Sequence, residues 1–399
     1  VSLSTRPEPY IIPSYSLTGD LLSFMSCGRQ YRYHNRGALP PSKPVQLWFG
    51  QFIHGVMEEA YRRWHDQREA MMAGEGIGPL LTFPWDIPTL EDIENTIINR
   101  LAAQGLRYRN QAMLKIAQVR ARKLINQIGR YLFLLIDQAE VRLRGIRTMP
   151  DLQGTTPRSN YYEVSGVVDV LTSLQLAAVD PSNILLQALL NHSEIQQMIS
   201  EAHKQQSHLS RPQFEIIVDY KGMRRPSNDP ADNTLQKYEW QLQTYAWLRE
   251  QQANSHQVLA GMLIFVNELE PSQTDLTHLW EEIHGNGAPK TDILPNGKDA
   301  EVLASWNPKR RRDTLPQLSD AYRLQRAIHI VPITKHTISQ SLQEFDNVVS
   351  NIELSISKEK AGASISQSWE AIPKPENCTV CDFKNFCDKS GMQGTPYAP

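Results

Sequence analysis

The stretch Phe214-Glu215-Ile216-Ile217-Val218-Asp219-Tyr220-Lys221 decides how this chain is read. Phe214, Ile216, Val218 and Tyr220 alternate with Glu215, Ile217, Asp219 and Lys221, which is the two-residue period of a sheet strand. Asp219 and Lys221 therefore point the same way at the end of an otherwise apolar strand. Desolvating a carboxylate and an ammonium there is costly unless both charges are used. A metal ion with a water nucleophile would use them. A strand-end ion pair would too, and the strand by itself does not separate the two.

The pattern continues outward on both sides. After a polar loop, residues 235–252 read as a helix in which Gln241 and Tyr245, four apart, share a face. Residues 259–266 then form a compact apolar strand. Strand, helix and strand make a crossover that predicts a right-handed connection and a parallel pair. Upstream, residues 140–147 and 161–171 read as strands, the second carrying Gly166-Val167-Val168-Asp169. Asp169 precedes Asp219 by 50 positions, and residues 172–212 between them read as a helical insertion. The irregular spacing of His192, His203 and His208 there fits surface residues better than ligands.

Further out, residues 16–33 and 47–64 read as helices. The second has an apolar stripe of Phe49, Ile53, Val56, Ala60 and Trp64, with His54, Glu58 and Tyr61 on an adjoining face. An interior histidine and a metal ligand both fit His54. Residues 90–140 read as a helical arm. From Arg107 to Arg147 the chain has ten Lys or Arg against Asp137 and Glu140. That makes either a local positive field, with Arg120 and Arg122 at its centre, or a solvated helix face. Residues 268–325 read as a loop-rich insertion that contains the run Lys309-Arg310-Arg311-Arg312, and residues 334–361 as a final helix.

Over 399 residues the charge is nearly balanced, 41 basic against 43 acidic, so an anion site must come from local clustering. No apolar run approaches a membrane span, and the first residues lack a signal-peptide layout, so a cytoplasmic protein is expected. No glycine-rich phosphate loop or motor motif is present. The four cysteines are Cys27, Cys378, Cys381 and Cys387. Disulfides are unusual in such a chain, and the Cys-x2-Cys-x5-Cys spacing fits a ligand cluster. Spacing leaves zinc and an iron-sulfur cluster equally open.

In order along the chain, His54, Gly166-Val-Val-Asp169, Asp219-Tyr220-Lys221 and Gln241-x-x-x-Tyr245, bracketed by Cys27 and Cys378/Cys381/Cys387, resemble the PD-(D/E)XK nuclease superfamily. Within it they resemble the RecB-like branch of iron-sulfur nucleases, AddB-like and CRISPR-associated exonucleases among them. The resemblance implies a single α/β domain over residues 1–399: a restriction-endonuclease-like mixed sheet flanked by helices, its ends joined by the cysteines. It further implies Mg2+ or Mn2+ held by His54, Asp169, Asp219 and the Tyr220 carbonyl, with Lys221 orienting the attacking water. Gln241 and Tyr245 would position DNA, and a structural [4Fe-4S] cluster would sit on the four cysteines. The expected activity is a deoxyribonuclease, exonuclease rather than endonuclease, on single strands or duplex ends in repair, recombination or defence. The alternative is a DNA-binding scaffold subunit of a helicase-containing complex; a complete acid-acid-lysine set favours the enzyme. A helicase or other repair or defence subunit would have to come from another polypeptide.

Overall fold

The computed structural model describes residues 12–37, 45–74, 81–152, 154–175, 180–205, 213–310, 314–374, 378–379, 381–385 and 387–389. Strands β1 (Ser14–Ser16), β2 (Ile136–Thr148), β3 (Tyr161–Gln175), β4 (Gln213–Lys221), β5 (Gln257–Phe265) and β6 (Ile328–Pro332) form one mixed sheet. One edge of β3 pairs with β2 along its length. The other edge pairs first with β1, in parallel, and then with β4. β4 and β5 are parallel, as the crossover requires, and β6 closes the far edge antiparallel to β5. Together these form the expected restriction-endonuclease-like α/β core with its mixed central sheet.

The alternation along β4 splits the core in two. Phe214, Ile216, Val218 and Tyr220 face one apolar cluster, while Ile217 faces the other. After α1 (Gly28–Asn35), the chain covers the first cluster with α2 (Val45–Met72), α3 (Ile87–Ala103) and α4 (Gln111–Lys123), and places α5 (Ile184–Leu190) and α6 (Ser193–Gln205) at its margin. The second lies under α7 (Thr234–Glu250) and, after α8 (Gln273–His284), α9 (Gly297–Ser305) and α10 (Asp320–Ala327), under α11 (Lys335–Lys360). Caps set several helix starts: Asp86 accepts from Thr89 N–H before α3, Asn110 from Met113 N–H before α4, and Thr334 from Thr337 N–H before α11.

Several expectations need correction. The segment read as a helical arm is α3 and α4 laid across the sheet, with Leu90, Ile93, Ile97, Ala117 and Ala121 buried, and its end is already β2. The helix read over 16–33 breaks at Cys27, which is extended (φ −168°) between Ser23–Ser26 and α1. Residues 268–325 carry α8, α9 and the start of α10 around their own small core of Leu276, Leu279, Leu303, Trp306 and Tyr322. Arg326, just past its end, pairs with Glu268 at its start at 2.7 Å. His208, Arg311 and Arg312 lie outside the described residues. Among the described residues, no helix is long and apolar enough to cross a membrane.

Candidate active site

The ladder places the acids in a row across three strands. Ala139 pairs with Val170 and Val141 with Val168, so Glu140 stands opposite Asp169. On the other side the β3–β4 pairing ends at Val170–Val218; one step further Asp169 and Asp219 stand where the strands part. The freed backbone N–H of Tyr220 donates to Asp169 Oδ2 at 2.8 Å instead of to a strand partner. α2 crosses this opening and delivers His54. Its Nδ1 lies 3.1 Å from Asp169 Oδ1 and its Nε2 3.0 Å from the Tyr220 carbonyl. The expected Tyr220 carbonyl thus reaches the site.

Lys221 shares a face with Asp219, as the strand period predicts, and donates to Asp219 Oδ2 at 2.9 Å and to Gln241 Oε1 at 2.8 Å. Gln241 Nε2 in turn donates to the Tyr245 hydroxyl at 3.0 Å. The Lys221 ammonium also lies 4.3 Å from the centre of the Tyr238 ring, a cation–π contact. Gln241 and Tyr245 are buried at 3% and 2% exposure. Their shared face, legible from the i, i+4 spacing, is used to hold the lysine.

The charges are strongly coupled. Burial alone would depress the His54 imidazolium. The Asp169 charge and hydrogen bond, followed by Asp219 and Glu140, outweigh it and lift His54 to about 9. Burial would likewise raise the Asp169 carboxyl, yet His54, the Tyr220 N–H and Lys221 bring it below the ordinary aspartate value. For Asp219, burial together with Asp169 outweighs Lys221 and the carboxyl is pushed up. Glu140 is pushed up by burial and by Asp169. The site therefore carries more negative charge than its own lysine balances, and without a metal it takes up a proton on His54.

That surplus is the test of fit for a cation. His54, Glu140 and Asp169 each bring one ligand atom within 4.8 Å of the others. An octahedral ion with bonds of about 2.1 Å spaces its ligands over a comparable range. Carboxylate oxygens, one imidazole and a backbone carbonyl suit magnesium or manganese. Glu140 escapes the sequence reading because it sits at the end of the helical pattern. It takes a left-handed φ of 53° beside a ladder irregularity at Ile136–Gln138. Its register opposite Asp169 is the signal that could have found it.

Arg120 and Arg122 stand away from this cleft. Arg120 is 5% exposed and donates to Asp275 Oδ2 at 2.6 Å and to the Glu270 carbonyl. Arg122 pairs with Glu94 at 2.6 Å. Both charges are consumed in tying α4 to its neighbours.

The four cysteines line a single cavity with Arg29, Tyr33 and Phe383, and none is in a disulfide. Around it the two parts of the chain are laced together. Arg32 pairs with Glu359, Trp369 Nε1 donates to Glu359 at 2.8 Å, Tyr33 stacks on Phe383 at 4.8 Å, and Arg29 contacts Asp388.

Residues 211–388 match a family model, that of the PD-(D/E)XK nuclease superfamily. The match begins at the edge of β4 and covers Asp219, Lys221, Gln241, Tyr245 and the three clustered cysteines. His54, Glu140 and Asp169 lie before it, and the fold carries them to the same place. The match suggests metal-dependent nuclease chemistry, and a nuclease fold implies contact with DNA. No curated protein matches the chain significantly.

Proposed function

We propose that this chain is a Mg2+- or Mn2+-dependent deoxyribonuclease of the RecB-like kind, acting as an exonuclease on single strands or duplex ends. The observation that carries the proposal is the meeting of His54, Asp169, Asp219 and Lys221, from α2, β3 and β4, in one cleft of about 630 Å3. His54, Asp169, Asp219 and the Tyr220 carbonyl, joined by Glu140, would hold the ion. When bound, the ion supplies positive charge to the non-bridging phosphate oxygens and makes hydroxide available near neutral pH. Lys221, fixed between Asp219 and Gln241, offers its remaining donor to the attacking water and opposes the charge that builds on the phosphate. The Tyr238 ring, 4.3 Å from the ammonium, shields the lysine from bulk water, which strengthens that interaction. A scaffold would have no use for this buried, metal-ready arrangement.

We further propose a [4Fe-4S] cluster on Cys27, Cys378, Cys381 and Cys387. Four uncrosslinked thiols line one cavity. Among the described residues, no three of the four sulfurs lie within 4.8 Å of one another. A zinc tetrahedron with bonds of about 2.3 Å would draw sulfurs closer than that, to ~3.8 Å.

The deciding experiment incubates anaerobically purified protein with end-labelled and circular DNA, single- and double-stranded, with Mg2+ or Mn2+. Cleavage confined to DNA with ends, lost in Asp219→Ala and Lys221→Ala, is expected. Equal cutting of circles would refute the exonuclease assignment, and metal-dependent cutting by both variants would refute the site.

A further inference from the structure

Two openings meet at the candidate centre. The cleft around Asp219 and Lys221 shares Leu47, Gly50, His54 and Glu140 with a neighbouring groove of about 800 Å3 between α2, the end of α3 and β2. Gly50 stands at the junction. It lies inside a 28-residue helix, where glycine is less favourable than alanine. Packing does not require it, since a Cβ added there would meet nothing within 4 Å. Gly55, further along the helix, differs: a Cβ there would come within 2.6 Å of the Arg100 guanidinium. The bare backbone at Gly50 faces open space beside the centre, which is where a glycine lets a ligand approach closely.

Beyond Gly50 the groove is lined by two cations, Arg100 and Arg142, alongside the carboxylates Glu58 and Glu140. Arg142 is exposed, and among the described residues its guanidinium has neither a hydrogen bond nor an ion pair. Arg100 has a single 3.4 Å contact with Glu58, both side chains more than two-fifths exposed, an arrangement of small worth. Leu47 and Val167 are exposed apolar side chains at the mouth, at 41% and 40%, and Val167 is the ladder partner of Arg142. Cations beside exposed apolar side chains suit an unpaired strand, whose base faces are open to contact; a duplex keeps those faces stacked and offers phosphates and base edges.

We propose that a single polynucleotide strand runs from the Asp219–Lys221 centre across Gly50 and into this groove, with flanking phosphates held by Arg142 and Arg100. The proposal rests on the nuclease reading and names its substrate path. The strand's backbone passes where the missing Gly50 side chain would stand. Leu47 and Val167 meet the bases nearest the scissile phosphate.

The test measures binding of a fluorescein-labelled 12-nucleotide single strand by anisotropy with Mg2+. The 399-residue chain carries Lys221→Ala so that the strand survives. Gly50→Phe and Arg142→Glu should each raise Kd at least tenfold. Arg142→Glu should also flatten the salt dependence, by a log–log slope of about 0.7 for each phosphate that is no longer neutralised. Gly50→Ala should melt at or above its parent, showing that the helix has no need of glycine there. Unchanged Kd in a folded Gly50→Phe protein, no strand binding by the parent, or a lowered melting point in Gly50→Ala would each overturn the proposal. Hydrolysis of bis(p-nitrophenyl) phosphate by the wild-type chain reports the centre without the groove. Turnover of this diester with no groove-dependent strand binding sinks the path alone. Groove-dependent binding without turnover of diester or strand sinks the nuclease reading and supports the path.

Discussion

Gly166→Ala tests the chain of contacts that holds the lysine. A Cβ at residue 166 would lie 2.4 Å from Tyr245 Cε1 and 3.2 Å from Cδ1, whereas carbon atoms rest at about 3.5–4.0 Å. The ring must therefore retreat by roughly 1 Å, inside a close-packed core. Such overpacking costs about 1–3 kcal/mol of stability. The displacement also travels, because the Tyr245 hydroxyl accepts from Gln241 at 3.0 Å and Gln241 accepts from Lys221 at 2.8 Å. Misplacing a reacting group by about 1 Å costs on the order of 100-fold in rate. Gly145→Ala is the control. Its Cβ would meet Trp247 at 2.5 and 2.8 Å and Leu248 at 3.0 Å, a similar clash against α7 that leads to no group in the cleft. Denaturant melts and single-turnover cleavage of a labelled oligonucleotide should show both variants destabilised, with a large rate loss in Gly166→Ala alone. Equal rates in the two variants, or parent-like cleavage by Gly166→Ala, would refute the positioning chain.

The metal-free chain should lose stability as pH rises from 6.5 toward 9. His54 has a folded value raised from 6.5 to about 9, so its contribution is complete below 6.5 and disappears through the folded value. Thermal melts in chelator check this, and a slope that persists in His54→Gln would contradict it. For the same reason manganese binding should release protons near neutral pH, which calorimetry in two buffers of different ionisation heat reads directly. Arg120→Ala should destabilise the fold by about 3–5 kcal/mol, the loss typical of a broken buried pair, and leave the salt dependence of DNA binding unchanged; a flattened salt slope would return that residue to the DNA surface. Protein purified anaerobically should be brown with about four irons per chain, and removal of the iron should lower the melting point of the whole domain, because the cluster would close the chain from Cys27 to Cys387. Colourless protein holding zinc would refute the cluster.

The fold was legible wherever one periodicity dominated. The β4 alternation, the crossover through α7 and the cap-to-cap extent of α11 all follow from spacing and capping residues. β1 and β6 were not legible, since three and five residues carry too little pattern to stand out from their loops. The separate small core of α8, α9 and α10 hid behind glycine and proline turns. Within the site, His54, Asp169, Asp219 and Lys221 came from motif order, and the structure brings them together. Glu140 needed strand register, a non-local property. Within the basic run, Arg120 and Arg122 misled for a related reason: counting charges gives their number along the chain, while the acids that occupy these two come from Asp275 and Glu94.

The most direct test of the account is anomalous diffraction from crystals of the chain soaked in Mn2+. A manganese peak is predicted within bonding distance of His54, Asp169 and Asp219, beside the Lys221 ammonium. A peak bound elsewhere, with those side chains still paired only to one another while the crystals' protein cleaves DNA, would contradict it.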